Sequence, residues 1–202
     1  MSSLPLDITG HVKIWNPSDG TIYYDDHNAI HYENFSEAIA LSLLGGGQGF
    51  VTEMAFGNGG TSIDSTGVIT YLPTNTRGSN SSLYNQTYYK TINQYQSSNT
   101  DATRNNIQVR HTPGQVYTDL FISCVLDYGE PGDQQAFDNS YLLNDTYVFD
   151  EMGIKSYNGS TANAGKLLTH VIFHPIQKSL NRQIQVDYTI RIQSLTNLGT
   201  AA

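Results

Sequence analysis

The chain has 202 residues, 38% of them hydrophobic and only 14% charged, against about 25% charged in an average soluble domain. Its formal net charge of -8 opposes binding to a phosphate backbone, and no run reaches the roughly 18 apolar residues that a membrane helix needs. One cysteine, Cys124, excludes an internal disulfide and any multi-cysteine zinc site.

The opening MSSLPLDITG has neither the basic start nor the apolar middle of a signal peptide, so the chain is expected to be made in the cytoplasm with this stretch as an N-terminal arm. VKIWN reads as a strand, closed by the turn cluster NPSDG. His27 and His31 stand four residues apart in a segment read as extended, where hydrogen-bonded or surface roles are expected of them. ENFSEAIALSLLGGG is the convincing helix, expected over 34–44. Asn34 would cap it, Glu37 would complete a capping box, and Gly45, Gly46 and Gly47 would stop it. Phe35, Ala38, Ile39, Ser42 and Leu43 recur at helical spacing, so one face should lie on a sheet.

FVTEMAF is a strand candidate, and it runs into FGNGGTSIDSTG, residues 56–67, which resembles a phosphate or metal loop at first sight. A dinucleotide fingerprint needs a third glycine where Ser62 stands and a helix where the strand candidate GVITYL follows. A P-loop needs Gly-Lys-Ser/Thr, and a calcium loop needs alternating carboxylates where only Asp64 is present. The glycines are therefore expected to serve a structural or subunit-contacting connection, through positive φ or close backbone approach. LPTNTRGSNSS follows as an exposed excursion, then the strand candidate LYNQTYYKTI, then a second polar excursion over 94–104. Asn85-Gln86-Thr87 and Asn158-Gly159-Ser160 match a glycosylation triplet, but without a secretory signal they reflect an Asn- and Thr-rich composition.

His111 precedes Thr-Pro and carries no metal signal of its own. DLFISCVLDY places Leu120, Ile122, Cys124 and Leu126 in one row, so Cys124 reads as buried filler and not as a nucleophile. DYGEPGDQQAFDN brings Asp127, Glu130, Asp133 and Asp138 near one another, in no EF-hand register; a solvated acidic turn is the expectation, and a hydrolase using these acids is a minor alternative. TYVFDEM is a strand candidate and YNGSTANAG a turn. In the strand candidate LLTHVIFH, His170 and His174 are separated by roughly 13 Å at about 3.3 Å per residue, too far to share one ion. RQIQVDYTIRIQ is the clearest strand: Ile184, Val186, Tyr188, Ile190 and Ile192 share one face, and Gln183, Gln185, Asp187, Thr189 and Arg191 the other. LGTAA is a C-terminal arm.

Strands parted by polar turns, with one short helix, make the chain mainly β: an antiparallel β-sandwich or barrel-like fold, read as a single domain over 1–202 with N-terminal and C-terminal arms.

The order of these pieces resembles structural proteins of tailed phages. AIALSLLGGGQGFVTEMAFGNGGTS is similar to their short helix followed by a strand that ends in a Gly-x-Gly-Gly-Thr turn. SLYNQTYYK, FDEMGI and LLTHVIFHPIQKSLNRQIQVDYTIRI resemble later segments of tail-collar and fibre-attachment proteins, the last one their closing hairpin. HNAIHYENFSEAIALSL and RHTPGQVYTDLFISCVLDYGEP are similar to virion proteins of contractile-tailed marine phages. The resemblance spans about 28–192 and lacks a fibre's repetitive shaft.

It implies a non-enzymatic virion subunit at the neck, collar, tail or baseplate, joined to its own copies and to other virion proteins, with no catalytic residues, cofactor or metal. Nucleic acid and membrane are not expected partners. Gly57, Asn58, Gly59, Gly60, Tyr84, Tyr88 and Tyr89 are the candidate assembly contacts, since aromatic residues are enriched in interface cores. A capsid decoration protein and a carbohydrate-binding β-sandwich module are the alternatives.

Overall fold

The computed structural model describes residues 5–132, 134, 147–159 and 162–195. Its elements in chain order are β1 (Leu6–Trp15), β2 (Ile22–His27), β3 (Ala29–Ile30), α1 (Tyr32–Leu44), β4 (Val51–Gly57), β5 (Thr61–Ile63) and β6 (Ile69–Tyr71). Then come β7 (Gln86–Thr91), β8 (Asn106–Arg110), β9 (Tyr117–Leu126), β10 (Val148–Ser156), β11 (Thr169–Gln177) and β12 (Ile184–Ser194). The five-stranded sheet β2-β1-β12-β9-β8 packs against a second, β3-β11-β10-β4-β7, and every pairing is antiparallel. The fold is a sandwich, with β5 and β6 forming a separate hairpin.

The alternation in β12 has the expected cause: Ile184, Val186, Tyr188 and Ile190 are buried while the residues between them are half-exposed. They join Val12 and Ile14 of β1 and Ile122, Cys124 and Leu126 of β9 against Met54, Phe56, Met152, Ile154, Val171 and Phe173 of the other sheet. Each such side chain contributes about 1.5–3 kcal/mol on full burial. Within the opening stretch β1 is in place from Leu6, which pairs with Ser194, as Gly10 does with Ile190.

The second sheet is covered on both sides. Every residue of β10, and all of β4 except Val51, is buried. Residues from 58–85, 157–159 and 162–167 lie over its outer face, where Ala55, Leu83 and Leu167 form a small second core. That cover decides where the chemistry-bearing side chains go.

α1 starts two residues before the expected 34–44. The cap is His31, whose Nδ1 accepts the Asn34 N–H at 3.2 Å, while the Asn34 side chain is buried and donates to the Leu167 carbonyl at 2.8 Å. Gly45, at φ 73°, ends the helix as expected and donates to the Ser42 carbonyl. Among the described residues no helix is long and apolar enough to cross a membrane.

Candidate functional site

The glycine loop after β4 does hold anions, and both belong to the chain. β10 carries a bulge between Phe149 and Glu151, a device that re-aims side chains, and Asp150 and Glu151 there meet the loop. Glu151 lies opposite Gly57 in the β4–β10 register. Its Oε1 accepts the N–H groups of Gly59 at 3.1 Å and Asn85 at 2.7 Å; its Oε2 accepts the Tyr84 N–H at 2.9 Å and His170 Nε2 at 3.0 Å. Asp150 accepts the N–H groups of Gly60 at 2.8 Å and Thr61 at 2.9 Å, and the Thr61 hydroxyl. Successive backbone N–H groups make an anion cradle, and here its occupants are two side chains that are 1% and 0% exposed.

The two carboxyls are held differently. Burial works against ionised Glu151, but the hydrogen bonds from His170, Asn85 and Tyr84 outweigh it and hold the carboxyl below its ordinary range. For Asp150 burial wins over the donors from Thr61 and Gly60, Glu151's charge adds to it, and the carboxyl is pushed up.

Two buried histidines extend the cradle outward. His170 Nδ1 accepts the Asn75 N–H at 2.8 Å, which leaves the proton on Nε2 to donate to Glu151. His31, its Nδ1 occupied by Asn34, donates from Nε2 to the Gly78 carbonyl at 3.0 Å. The excursion expected over 74–82 is exposed or half-exposed throughout, and it is tied down from beneath at Asn75 and Gly78.

Of the candidate contact residues, Gly57, Asn58 and Gly60 are buried and Gly59 is half-buried, so the loop faces inward. Asn58 accepts from the Asn85 side chain at 2.6 Å. Tyr88 is half-buried against Phe56, and burial pushes its hydroxyl well above the ordinary range. Tyr84 and Tyr89 are exposed.

The other candidates are scattered. Exposed His174 meets the Tyr71 hydroxyl at 3.1 Å, His27 the Gly10 carbonyl at 3.1 Å, and His111 the Thr118 hydroxyl at 2.9 Å. Asp64 closes its own turn onto Thr66 and Val68. Cys124 is fully buried, which pushes its thiol up to about 12. Asp127 accepts from Gln183, Arg104 and the Tyr128 N–H and is held far below the ordinary range by those bonds, while Glu130 pairs with Lys90. Asp133 and Asp138 lie outside the described residues. Among the described residues no three His, Cys, Asp or Glu side chains are grouped to hold a metal ion.

A different place presents open surface. Between α1 and the β8 side of the first sheet runs an apolar groove of about 580 Å³, floored by Phe35, Ile39, Ile107, Leu120 and Ile192. The helix face expected on a sheet is covered only in its first turns: Phe35 and Ala38 are buried, but Leu43 is 84% exposed, and beside that face Leu44 is 76% exposed. Tyr95, 85% exposed, stands on the opposite rim, and no acidic or basic side chain lines the groove. Gln94 closes part of the adjoining strand edge: its amide accepts the Ile107 N–H at 2.9 Å and donates to the Ile107 carbonyl at 3.0 Å, as a neighbouring strand would.

On the outer face of the first sheet three aromatic rings carry a cation on one side: Arg110 over Phe121, Arg191 over Tyr117 and Lys13 over Trp15. Arg191 also forks onto Asp119 at 2.8 and 2.9 Å. No family model, curated protein or solved structure matches the chain.

Proposed function

We propose that the chain is a non-enzymatic structural component of a tailed-phage virion, a neck, collar, tail or baseplate attachment subunit that assembles with its own copies and with neighbouring virion proteins. The observation that carries this reading is the groove beside α1, where exposed leucines and Tyr95 project next to an apolar hollow. A patch holding both knobs and a hole suits an isologous contact with a second copy. Copies with a net charge of -8 repel, and a patch without acidic or basic residues lets them meet without burying like charges. Because Gln94 occupies the Ile107 edge groups, the contact is made by side chains and not by strand addition.

The cradle supports the same reading, since Asp150, Glu151 and His170 spend their polar atoms on backbone N–H groups, on the Thr61 hydroxyl and on one another, and hold loops in place. Burying Leu43 and Leu44 of two copies gains about 6–12 kcal/mol at 1.5–3 kcal/mol per side chain. Association costs about 4–15 kcal/mol, so pairing of isolated copies is weak and concentration-dependent.

Sedimentation velocity over a concentration series tests the contact: the wild type is expected to shift to dimers or larger rings, and Leu43→Asp to stay monomeric with an unchanged melting temperature. Peptide mapping of purified particles tests the location. Absence of the chain from the particle overturns the virion reading, and retention of a monomer on a glycan column favours the carbohydrate module.

A further inference from the structure

On the covered face of the second sheet a lysine, an asparagine side chain and a carboxylate converge without forming an ion pair. Lys155 of β10 lies opposite Glu53 of β4 in register, and both are buried, 9% and 4% exposed. Asn163, in the segment that folds back over them, has a left-handed backbone with φ 63°. Both Glu53 oxygens accept its N–H at 2.9 Å. Lys155 Nζ lies 2.9 Å from Asn163 Oδ1 and 2.5 Å from its main-chain oxygen. A C=O bond is about 1.2 Å long, so Nζ is within roughly 4.1 Å of Asn163 Cγ. Gln86 Nε2 donates to the same Oδ1 at 2.6 Å.

We propose that Lys155 and Asn163 form an intramolecular amide cross-link. The ammonium first gives one proton to solvent. The amine nitrogen then attacks Cγ; the carbonyl electron pair moves to Oδ1, where the Gln86 N–H stabilises it as an oxyanion-hole donor does. When that pair returns, the Cγ–Nδ2 bond breaks, the remaining excess proton of the attacking nitrogen passes to Nδ2, and ammonia leaves through the half-exposed Asn163 side. Nothing is oxidised or reduced, and no co-reactant is needed. Burial favours the uncharged amine of Lys155, an effect that Glu53's charge partly offsets. Holding nucleophile and carbonyl in fixed proximity supplies the rate. Glu53 is a positioning residue, acting through the Asn163 backbone.

Intact-mass spectrometry of the full chain after incubation in mildly alkaline buffer is the test. The wild type is expected to be lighter by one ammonia, to resist trypsin at Lys155, and to give no backbone fragment ions between Lys155 and Asn163. Lys155→Arg and Asn163→Ala keep full mass. Asn158→Ala still loses ammonia, which separates the link from a succinimide at Asn158-Gly159. Glu53→Gln, which keeps an acceptor for the Asn163 N–H, links faster than Glu53→Ala. Wild-type chain of full mass, cleaved normally at Lys155, overturns the proposal; this result is read without any variant and so does not depend on whether one folds.

Discussion

Two glycine-rich turns flank β4, and they need glycine for opposite reasons. In the turn after α1, Gly45, Gly47 and Gly49 take φ of 73°, 70° and 81°, and an added Cβ at Gly45 would meet nothing within 4 Å. At Gly45 and Gly47 the backbone is wrong for other residues while the space is open; at Gly49, packed back on the helix, an added Cβ would also sit 2.4 Å from the Ala38 carbonyl oxygen. In the cradle, Gly57 and Gly59 have no left-handed φ, yet a Cβ at Gly57 would sit 2.5 Å from the Asn85 carbonyl oxygen and 2.6 Å from Glu151 Oε1. There the backbone is ordinary and the space is filled. Gly45 ends a helix in solvent; Gly57 sits in a packed joint between two strands and two loops.

The largest expected effect breaks the cradle from its acid side. Glu151→Ala strands four donors, the N–H groups of Gly59, Tyr84 and Asn85 and His170 Nε2, around a side chain that is itself fully buried. A loss of about 4 kcal/mol or more is expected at neutral pH, read as a lower denaturant midpoint with an unchanged slope. Next comes Gly57→Ala, at about 2–3 kcal/mol, because the atoms it meets are a backbone oxygen and a fixed carboxylate. A cost below about 0.5 kcal/mol would show that the joint is looser than its distances imply.

Acid separates the two carboxyls. Glu151 is held below its ordinary value of 4.5, so its contribution is fully present above that pH and is lost as pH falls through the folded value. Asp150 is pushed above its ordinary 3.8, so its contribution has the opposite sign: present in full below 3.8 and lost as pH rises through the folded value. On acidification the two partly cancel. Asp150→Asn removes the offset, so stability should fall more steeply below pH 4.5 than in the wild type, while at pH 7 the substitution costs about 1–2 kcal/mol. Equal acid slopes in chemical denaturation would contradict the opposed shifts.

The sandwich and helix were legible because one-sided burial writes a period into the sequence: β12 and β9 alternate, and α1 shows its stripe. The cradle was not, because β10 is buried on both faces and VFDEMGIKS has no period to read. Two adjacent acids between the apolar runs Val148-Phe149 and Met152-Gly153-Ile154 were the available signal. Their partners are backbone N–H groups from distant segments, which leave no mark in residue type. The His31 cap was hidden for a related reason, since an imidazole is not among the usual capping side chains. The groove needed the placement of β8, whose five residues the polar stretch before them obscured, and the length by which the α1 stripe outruns its cover.

The smallest effect sharpens the comparison from its other side. At Gly45 an L-residue must adopt a left-handed backbone with no atom in its way, so Gly45→Ala should cost about 1 kcal/mol, all of it conformational. Asparagine visits that region more readily than alanine, and Gly45→Asn should recover part of the loss. The same pair at Gly57 must rank the other way, because asparagine is larger and space is what fails there. Thermal melts of the four variants check this crossing: Asn above Ala at position 45, Ala above Asn at position 57. A shared ranking at both positions would mean that one cause, strain or crowding, governs both turns.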